Sequence, residues 1–364
     1  MKKFWYKMAL ISVALGVFTA CSEDDPEDGP TLPTNPTETV GAYILHTGNW
    51  GGNDASIEYL DLEKGELSGD LYQAANQEGL GDLGQDLCLY GSKLYVTVAG
   101  SSKLVIMDKN CKAIKTLALN NAEGQPIQPR YMTATQGNVY FTAYDGTVSR
   151  LDTLTMSVTG SVPVGDHPEA LTHANGKLYV NISGYGQGKR VTVIDLKSFT
   201  KSKELDVVLN PYTQCLTGAD GQVYIVSNGN YAGDSKIPED QWIYQTLQRI
   251  NPQTDQVEKL CPASYIANQG NKMYVLYAEY YLPNTHKAFI YDLKTGQESP
   301  FIHIQDVNSP RSMQVDPITG DVYITNVPEY GTPADILVYD KDGNFKNKYL
   351  TNGYETSKVV FVTR

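Results

Sequence analysis

The sequence predicts an all-β chain: a seven-bladed β-propeller with four antiparallel strands per blade, its ring closed by the C-terminal strand joining blade one. Three observations predict it. First, a short apolar run closes on Asp or Asn seven times, at Asp61, Asp108, Asp152, Asp195, Asn251, Asp292 and Asp340, which stand 47, 44, 43, 56, 41 and 48 residues apart. A period of roughly 40 to 50 residues is the length of one four-stranded blade. Second, the repeats carry a Tyr-bearing β run after a turn, as in GSKLYVTV, GNVYFTA, GKLYVNI, GQVYIVS, NKMYVLY and GDVYITN. Third, the first repeat lacks an inner strand, and one apolar run, Lys358 to Val362, is left over after the last repeat.

Taken in order, the chain starts with Lys2, Lys3 and Lys7 ahead of the apolar run MALISVALGVF, followed by small residues up to Cys21. That is the pattern of a secretory signal, too short for a spanning helix. Phe18-Thr19-Ala20-Cys21 resembles a bacterial lipobox, with Phe18 where Leu is usual. On that resemblance residues 1–20 are a lipoprotein signal peptide and Cys21 is the lipidated first residue of the mature chain. Residues 21–40 are rich in acids and Pro and hold no apolar residue before Leu32, so they read as an extended tether. The acidic SEDD after Cys21 resembles the surface-export signal of Bacteroidetes lipoproteins. Together these features predict an outer-membrane protein, anchored to the membrane through lipid and exposed on the cell surface, with residues 41–364 left for the propeller.

The formal charge of −12 becomes about −15 once the three signal lysines are removed. Such a chain repels nucleic acid, and no basic patch offsets the repulsion, so nucleic acid is not expected as a partner. Cys88, Cys111, Cys215 and Cys261 lack C-x-x-C or Cys/His spacing, which argues against a zinc site. Cys88 and Cys215 fall in equivalent inner strands and read as small buried hydrophobes.

Strands a to d follow within each repeat. The runs DLCLY, RYMTA, EALTH, YTQCL, SYIAN and RSMQV supply a, the Tyr runs supply b, and the Asp or Asn mark ends c. Blade one has b in AYILHTG, c in SIEYLD and d around Gly65 to Leu71, and the leftover C-terminal run supplies its a strand, which removes the open edge of the array. Most of the 26 Tyr are expected to pack between neighbouring blades with their hydroxyls at polar edges. Asn175-Gly176, Asp220-Gly221, Thr319-Gly320 and Asp342-Gly343 mark tight hairpin turns.

In such a blade the b–c and d–a connections leave at one end of the ring, and this end carries the unusual residues. Six b–c loops place an aromatic there: Trp50, Tyr144, Tyr185, Tyr231 with Trp242 in a long insertion (228–245), Tyr280 or Tyr281, and Tyr330. The d–a connections add Gln85, Arg130 with Tyr131, Glu169, Tyr212, Arg311 and Tyr354 with Glu355. Aromatics around a funnel with Arg and Glu below them suit a broad, partly apolar ligand carrying amides or hydroxyls. The alternative is that each loop aromatic covers its own blade. No G-x-S-x-G, H-E-x-x-H or paired-His motif occurs, and His46, His167, His173, His286 and His303 lie in different repeats. Glu169 is a conceivable metal ligand of the lactonase-propeller kind, but no set assembles around it. No catalytic residue, metal or resident cofactor is therefore expected, and the chain reads as no enzyme.

HTGNWGGNDASIEYLD (46–61), the pairs Pro129-Arg130 and Pro310-Arg311, and VDPITGDVYITNVPEY (315–330) resemble the YncE-like seven-bladed propeller lipoproteins of Bacteroidetes, a group that includes the BtuG cobalamin-binding family. The resemblance implies capture of cobalamin or another corrinoid as a transported ligand and transfer to a BtuB-type, TonB-dependent outer-membrane transporter. A carbohydrate- or protein-binding surface propeller is the second reading, and a metal-dependent hydrolase the third.

Overall fold

The computed structural model describes residues 36–307, 309–329 and 331–364. Seven sheets of four antiparallel strands are arranged in a ring, each sheet in the order a-b-c-d from the centre outward. The inner strands are Thr356–Thr363 in blade one, Gly84–Tyr90, Pro129–Thr135, Pro168–Ala174, Pro211–Thr217, Tyr265–Gln269 and, in blade seven, Pro310–Val315. They pack on one another around the axis. The signal peptide, Cys21 and the tether as far as residue 35 lie outside the described residues, as does Tyr330.

Each repeat mark acts through its side chain. Asp152 Oδ1 accepts from the backbone N–H of Leu154 at 3.1 Å and of Thr155 at 2.7 Å. Asn251 holds Gln253 and Thr254 in the same way, Asp292 holds Lys294 and Thr295, and Asp340 holds Asp342 and Asn344. Asp61, Asp108 and Asp195 do so at their own turns. The repeat is thus a set of side-chain caps on the c–d turns.

The Tyr layer fills the joints between blades. Tyr43, Tyr95, Tyr140, Tyr179, Tyr224, Tyr274 and Tyr323 occupy equivalent b-strand positions, and none is more than 3% exposed. Their hydroxyls reach polar edges: Tyr43 donates to Lys109 O at 2.5 Å and Tyr224 to Asp220 Oδ2 at 2.8 Å. At these positions the arrangement buries a large apolar face with its polar tip paired.

The C-terminal strand closes the ring. Thr356–Thr363 pairs antiparallel with Thr39–His46, placing Val362 opposite Gly41 and Val360 opposite Tyr43. Arg364 O accepts from Thr37 N at 2.8 Å and Glu38 N at 3.1 Å, and Arg364 N donates to Glu38 O at 2.9 Å. At the joint between blades seven and one, the buried carboxylate of Glu58 lies 3.3 Å from His46 Nε2 and accepts from Asn352 N and Nδ2 at 3.2 and 2.7 Å.

Two local expectations are corrected. The outer strand of blade one spans only Glu66–Leu67, and Leu71–Asn76 is a helix. Asp70 caps it by accepting from Tyr72 N at 3.0 Å and Gln73 N at 3.2 Å, and Tyr72 anchors it in the core, so local capping chemistry outweighs strand pairing here. Cys88 and Cys215 lie in inner strands but are half-buried, Cys88 packed against the core between blades two and three and Cys215 beside the central cavity, whereas Cys111 and Cys261 are buried. All four are free thiols. Burial pushes the Cys88 thiol up to about 12, which leaves it unreactive at neutral pH.

Candidate functional site

The b–c and d–a connections converge on one end of the ring, where a backbone irregularity recurs. In six of the seven blades the pairing of strands a and b shifts register at the same place: between Gly84 and Asp86, Pro129 and Met132, Pro168 and Leu171, Pro211 and Cys215, Pro310 and Ser312, and Leu45 and His46 opposite Thr356. Bulges re-aim side chains and tighten twist. The residues inside them include Gln85, Arg130 with Tyr131, Glu169, Tyr212 and Arg311, which the sequence singles out.

Below this end lies a cavity of about 660 Å³ bordered by all seven inner strands. Its wall mixes apolar and neutral polar groups: Leu83, Leu171, Leu216, Ile266 and Met313 border it, Gln85, Gln214, Gln245 and Gln314 supply amides, Tyr131, Tyr212 and Tyr265 supply rings with hydroxyls, and Trp50 stands at the mouth. The charges of the wall are paired across blades. Lys358 Nζ lies 2.9 Å from Asp86 Oδ1, while Asp86 Oδ2 accepts from Met132 N at 2.8 Å. Arg311 Nε donates to Glu355 Oε2 at 2.9 Å. A second recess, about 630 Å³, lies at the opposite end between Asp220, Arg249 and Glu258, so that end is less featureless than its short turns suggest.

Arg130 and Glu169 form a buried knot behind the wall. Arg130 Nε and Nη2 both lie 3.0 Å from Glu169 Oε2, Arg130 Nη1 donates to Gln85 Oε1, and Tyr144 donates to Glu169 Oε1 at 2.7 Å. The guanidinium carbon sits 4.5 Å from the Tyr144 ring centre and 5.5 Å from that of Tyr131. Burial raises the Glu169 carboxyl above its ordinary range, against the opposing pull of Arg130 and Tyr144. These groups are committed to one another, and what they offer a ligand is the fixed placement of Gln85 and Tyr131.

A looser aromatic ladder rises from this knot to the rim. His167 lies 4.7 Å from Tyr144 and 5.1 Å from Tyr185, ring centre to ring centre, with Nδ1 2.7 Å from Asp166. Trp50, Tyr185 and Tyr280 are the most open large side chains, at 77%, 79% and 77% exposed. Rings so exposed bury little of their own blade, which disfavours the covering role for these three.

The blade-five insertion is tied to itself and to blade six. Asn230 N donates to Ile243 O at 3.0 Å and Asn230 Oδ1 accepts from Ile243 N at 2.8 Å. Gly229, at φ +65, touches the same carbonyl so closely that a Cβ would fall 1.8 Å from it. Trp242 is pinned inside the loop, its Nε1 donating to Ile237 O at 3.0 Å, whereas Tyr231 projects outward. Buried Glu279 of blade six accepts from Gln245 N at 2.6 Å and Gln245 Nε2 at 3.3 Å, which fixes Gln245 in the cavity wall.

Of the residues singled out from sequence, Trp50, Gln85, Tyr131, Tyr212 and Arg311 border the cavity; Tyr185, Tyr231 and Tyr280 stand on its rim; and Arg130, Glu169 and Tyr144 lie behind it. Trp242 stays within its loop. Tyr354 ends the outer strand of blade seven, where its carbonyl accepts from Gly48 N at 3.1 Å, and does not border the cavity. Sequence reasoning missed Tyr265, Gln245 and Lys358. Tyr265 is the counterpart of Tyr131, and aligning the inner strands on their b-strand Tyr would have found it.

No curated protein sequence matches the chain. Solved structures show the fold alone. A quinonprotein alcohol dehydrogenase-like protein from Bacteroides thetaiotaomicron superposes with a TM-score of 0.64 at 16% identity, over 90% of this chain and 79% of the other. A functionally unknown protein from Desulfotomaculum acetoxidans gives 0.60 at 11% identity, over 88% and 98%. AztD from Citrobacter koseri gives 0.53 at 11% identity, over 90% and 99%. The family profile that spans residues 40–356 identifies the chain as a member of the family described as a domain of unknown function, DUF5074.

Proposed function

We propose that this propeller is a non-catalytic ligand-binding protein of the cell surface that captures cobalamin or another corrinoid and delivers it to a BtuB-type outer-membrane transporter. The observation that carries the reading is the amide- and tyrosine-lined cavity of about 660 Å³, capped by exposed rings, at the end where the bulged inner strands converge. Ligand pockets of about 300–1,000 Å³ with a few placed polar groups are typical of small-molecule sites. A corrinoid would set its carboxamide-bearing edge against the glutamines and its flat face against Trp50 and the rim tyrosines. The preformed cup costs little ordering on binding, which favours tight capture. The carboxylates of the wall are each paired with a cation, which supports binding over hydrolysis. Among the described residues no helix is long and apolar enough to cross a membrane, so the proposed anchor is lipid on Cys21.

Calorimetric titration of the full-length protein in detergent with cyanocobalamin tests the reading. Saturable binding below micromolar supports it; no heat at micromolar ligand overturns it. The high exposure of Trp50, Tyr185 and Tyr280 favours a second reading, a carbohydrate-binding module that stacks sugars on these rings. Retention on a glycan array without corrinoid binding would establish that alternative.

A further inference from the structure

One group in the cavity wall lacks the partner its burial calls for. Glu355 borders the cavity, one of its carboxylate oxygens is held by Arg311 Nε at 2.9 Å, and the other, Oε1, is buried with no donor. Buried acceptors are almost always satisfied, and exceptions mark places where a ligand, an ion or a water completes the set. The backbone points the same way. Glu355 sits at φ +52, a left-handed conformation that costs a non-glycine residue and that persists at sites where surrounding structure enforces it. That enforcement is visible: its carbonyl accepts from Thr47 N at 3.1 Å, and the preceding carbonyl, of Tyr354, accepts from Gly48 N at 3.1 Å, clamping the residue onto the loop that carries Trp50.

We propose that Glu355 is the acceptor with which the cavity reads a neutral N–H or O–H donor on its ligand, Arg311 holding the carboxylate in place beneath Trp50. The choice of donor follows from charge. Arg311 already neutralises the carboxylate, so an ammonium gains little there and meets a guanidinium nearby. A ligand carboxylate would set lone pair against lone pair. A primary amide or a hydroxyl supplies the missing hydrogen with no charge to desolvate. The inference rests on the cavity being a ligand site, and it assigns that site a preference for amide- or hydroxyl-bearing ligands over their acid counterparts.

The test uses acetamide, glycerol and acetate as probes, followed by saturation-transfer NMR on the full-length protein and on two variants, Glu355→Ala and Glu355→Gln. Acetamide and glycerol are expected to bind the wild-type chain and to weaken about tenfold in Glu355→Ala, the scale of one hydrogen bond to a charged acceptor. Acetate is expected to show no binding to the wild type. In Glu355→Gln the single amide oxygen stays with Arg311 and the N–H takes the place of Oε1, so acetamide can turn its carbonyl to it and should stay within about threefold, while acetate should be admitted. Equal acetamide affinity in wild type and Glu355→Ala overturns the proposal, as does acetate matching acetamide on the wild type. A Glu355→Gln chain that melts normally yet binds neither probe overturns it too. Because none of the probes is a corrinoid, a failure with cyanocobalamin and a failure here are separate results.

Discussion

The side chains of the end where the b–c and d–a connections converge divide by what they already touch. Arg130, 9% exposed, is bonded to Glu169 and Gln85, so Arg130→Leu leaves a carboxylate buried without its cation. The expected cost is about 3–5 kcal/mol in denaturant unfolding. Tyr185, 79% exposed, lies against the His167 ring, so Tyr185→Ala is expected to shift stability by no more than about 0.5 kcal/mol while weakening ligand binding. If the two substitutions destabilise equally, the division into knot and rim is wrong. The types at these positions were legible in the sequence; their commitments were not. An Arg beside a Pro looks the same at Arg130 and Arg311, and each is held by a Glu, yet Arg130 lies behind the wall and Arg311 borders the cavity. The partner comes from a neighbouring repeat, and only the ring sets which residue that is.

Among the elements, strands b and c could be read directly because their chemistry is local. A buried Tyr and a turn-capping Asp each act within a few residues of themselves. Removing one cap, as in Asp152→Ala, deletes two backbone hydrogen bonds at an exposed turn and is expected to cost about 1 kcal/mol, seen as a melting point lower by roughly 2 °C. The bulges that build the cavity were invisible, since a bulge is a shift between two strands and neither strand records it alone. The helix Leu71–Asn76 escaped for the opposite reason: its signal, Asp70 followed by Leu71-Tyr72-Gln73-Ala74, was local but overshadowed by the repeat. The insertion is fastened to itself through Asn230 and to blade six through Gln245. Glu279→Ala unties Gln245 and should make residues 231–241 the first site of limited proteolysis, with the rest of the propeller intact. Cleavage elsewhere first would assign the loop another anchor.

For the whole molecule, stability against acid is expected to centre on the joint between blades seven and one. Burial alone would raise the Glu58 carboxyl, but His46 and Asn352 more than offset it, and its value in the folded chain lies below the ordinary 4.5. A carboxyl depressed in the folded state contributes stability that is complete above its unfolded value and is lost as pH falls through the folded one. Unfolding free energy should therefore decline below about pH 4.5, and Glu58→Gln should flatten that decline while lowering stability at neutral pH. An unchanged acid limb in the variant would move the sensitivity elsewhere.

The strand that closes the ring also decides when the cavity is complete. Thr47 and Ser357 meet side chain to side chain at 2.9 Å although 310 residues separate them. Both border the cavity, as do Trp50 near one end of the described chain and Glu355 near the other. During synthesis the first blade must therefore wait, its inner seat empty, until the final residues emerge. A product that stops before Thr356 would hold six complete four-stranded sheets and three strands of blade one, but no complete mouth. A complete cavity is in this sense available only to a chain in which Thr39–His46 and Thr356–Thr363 have found each other.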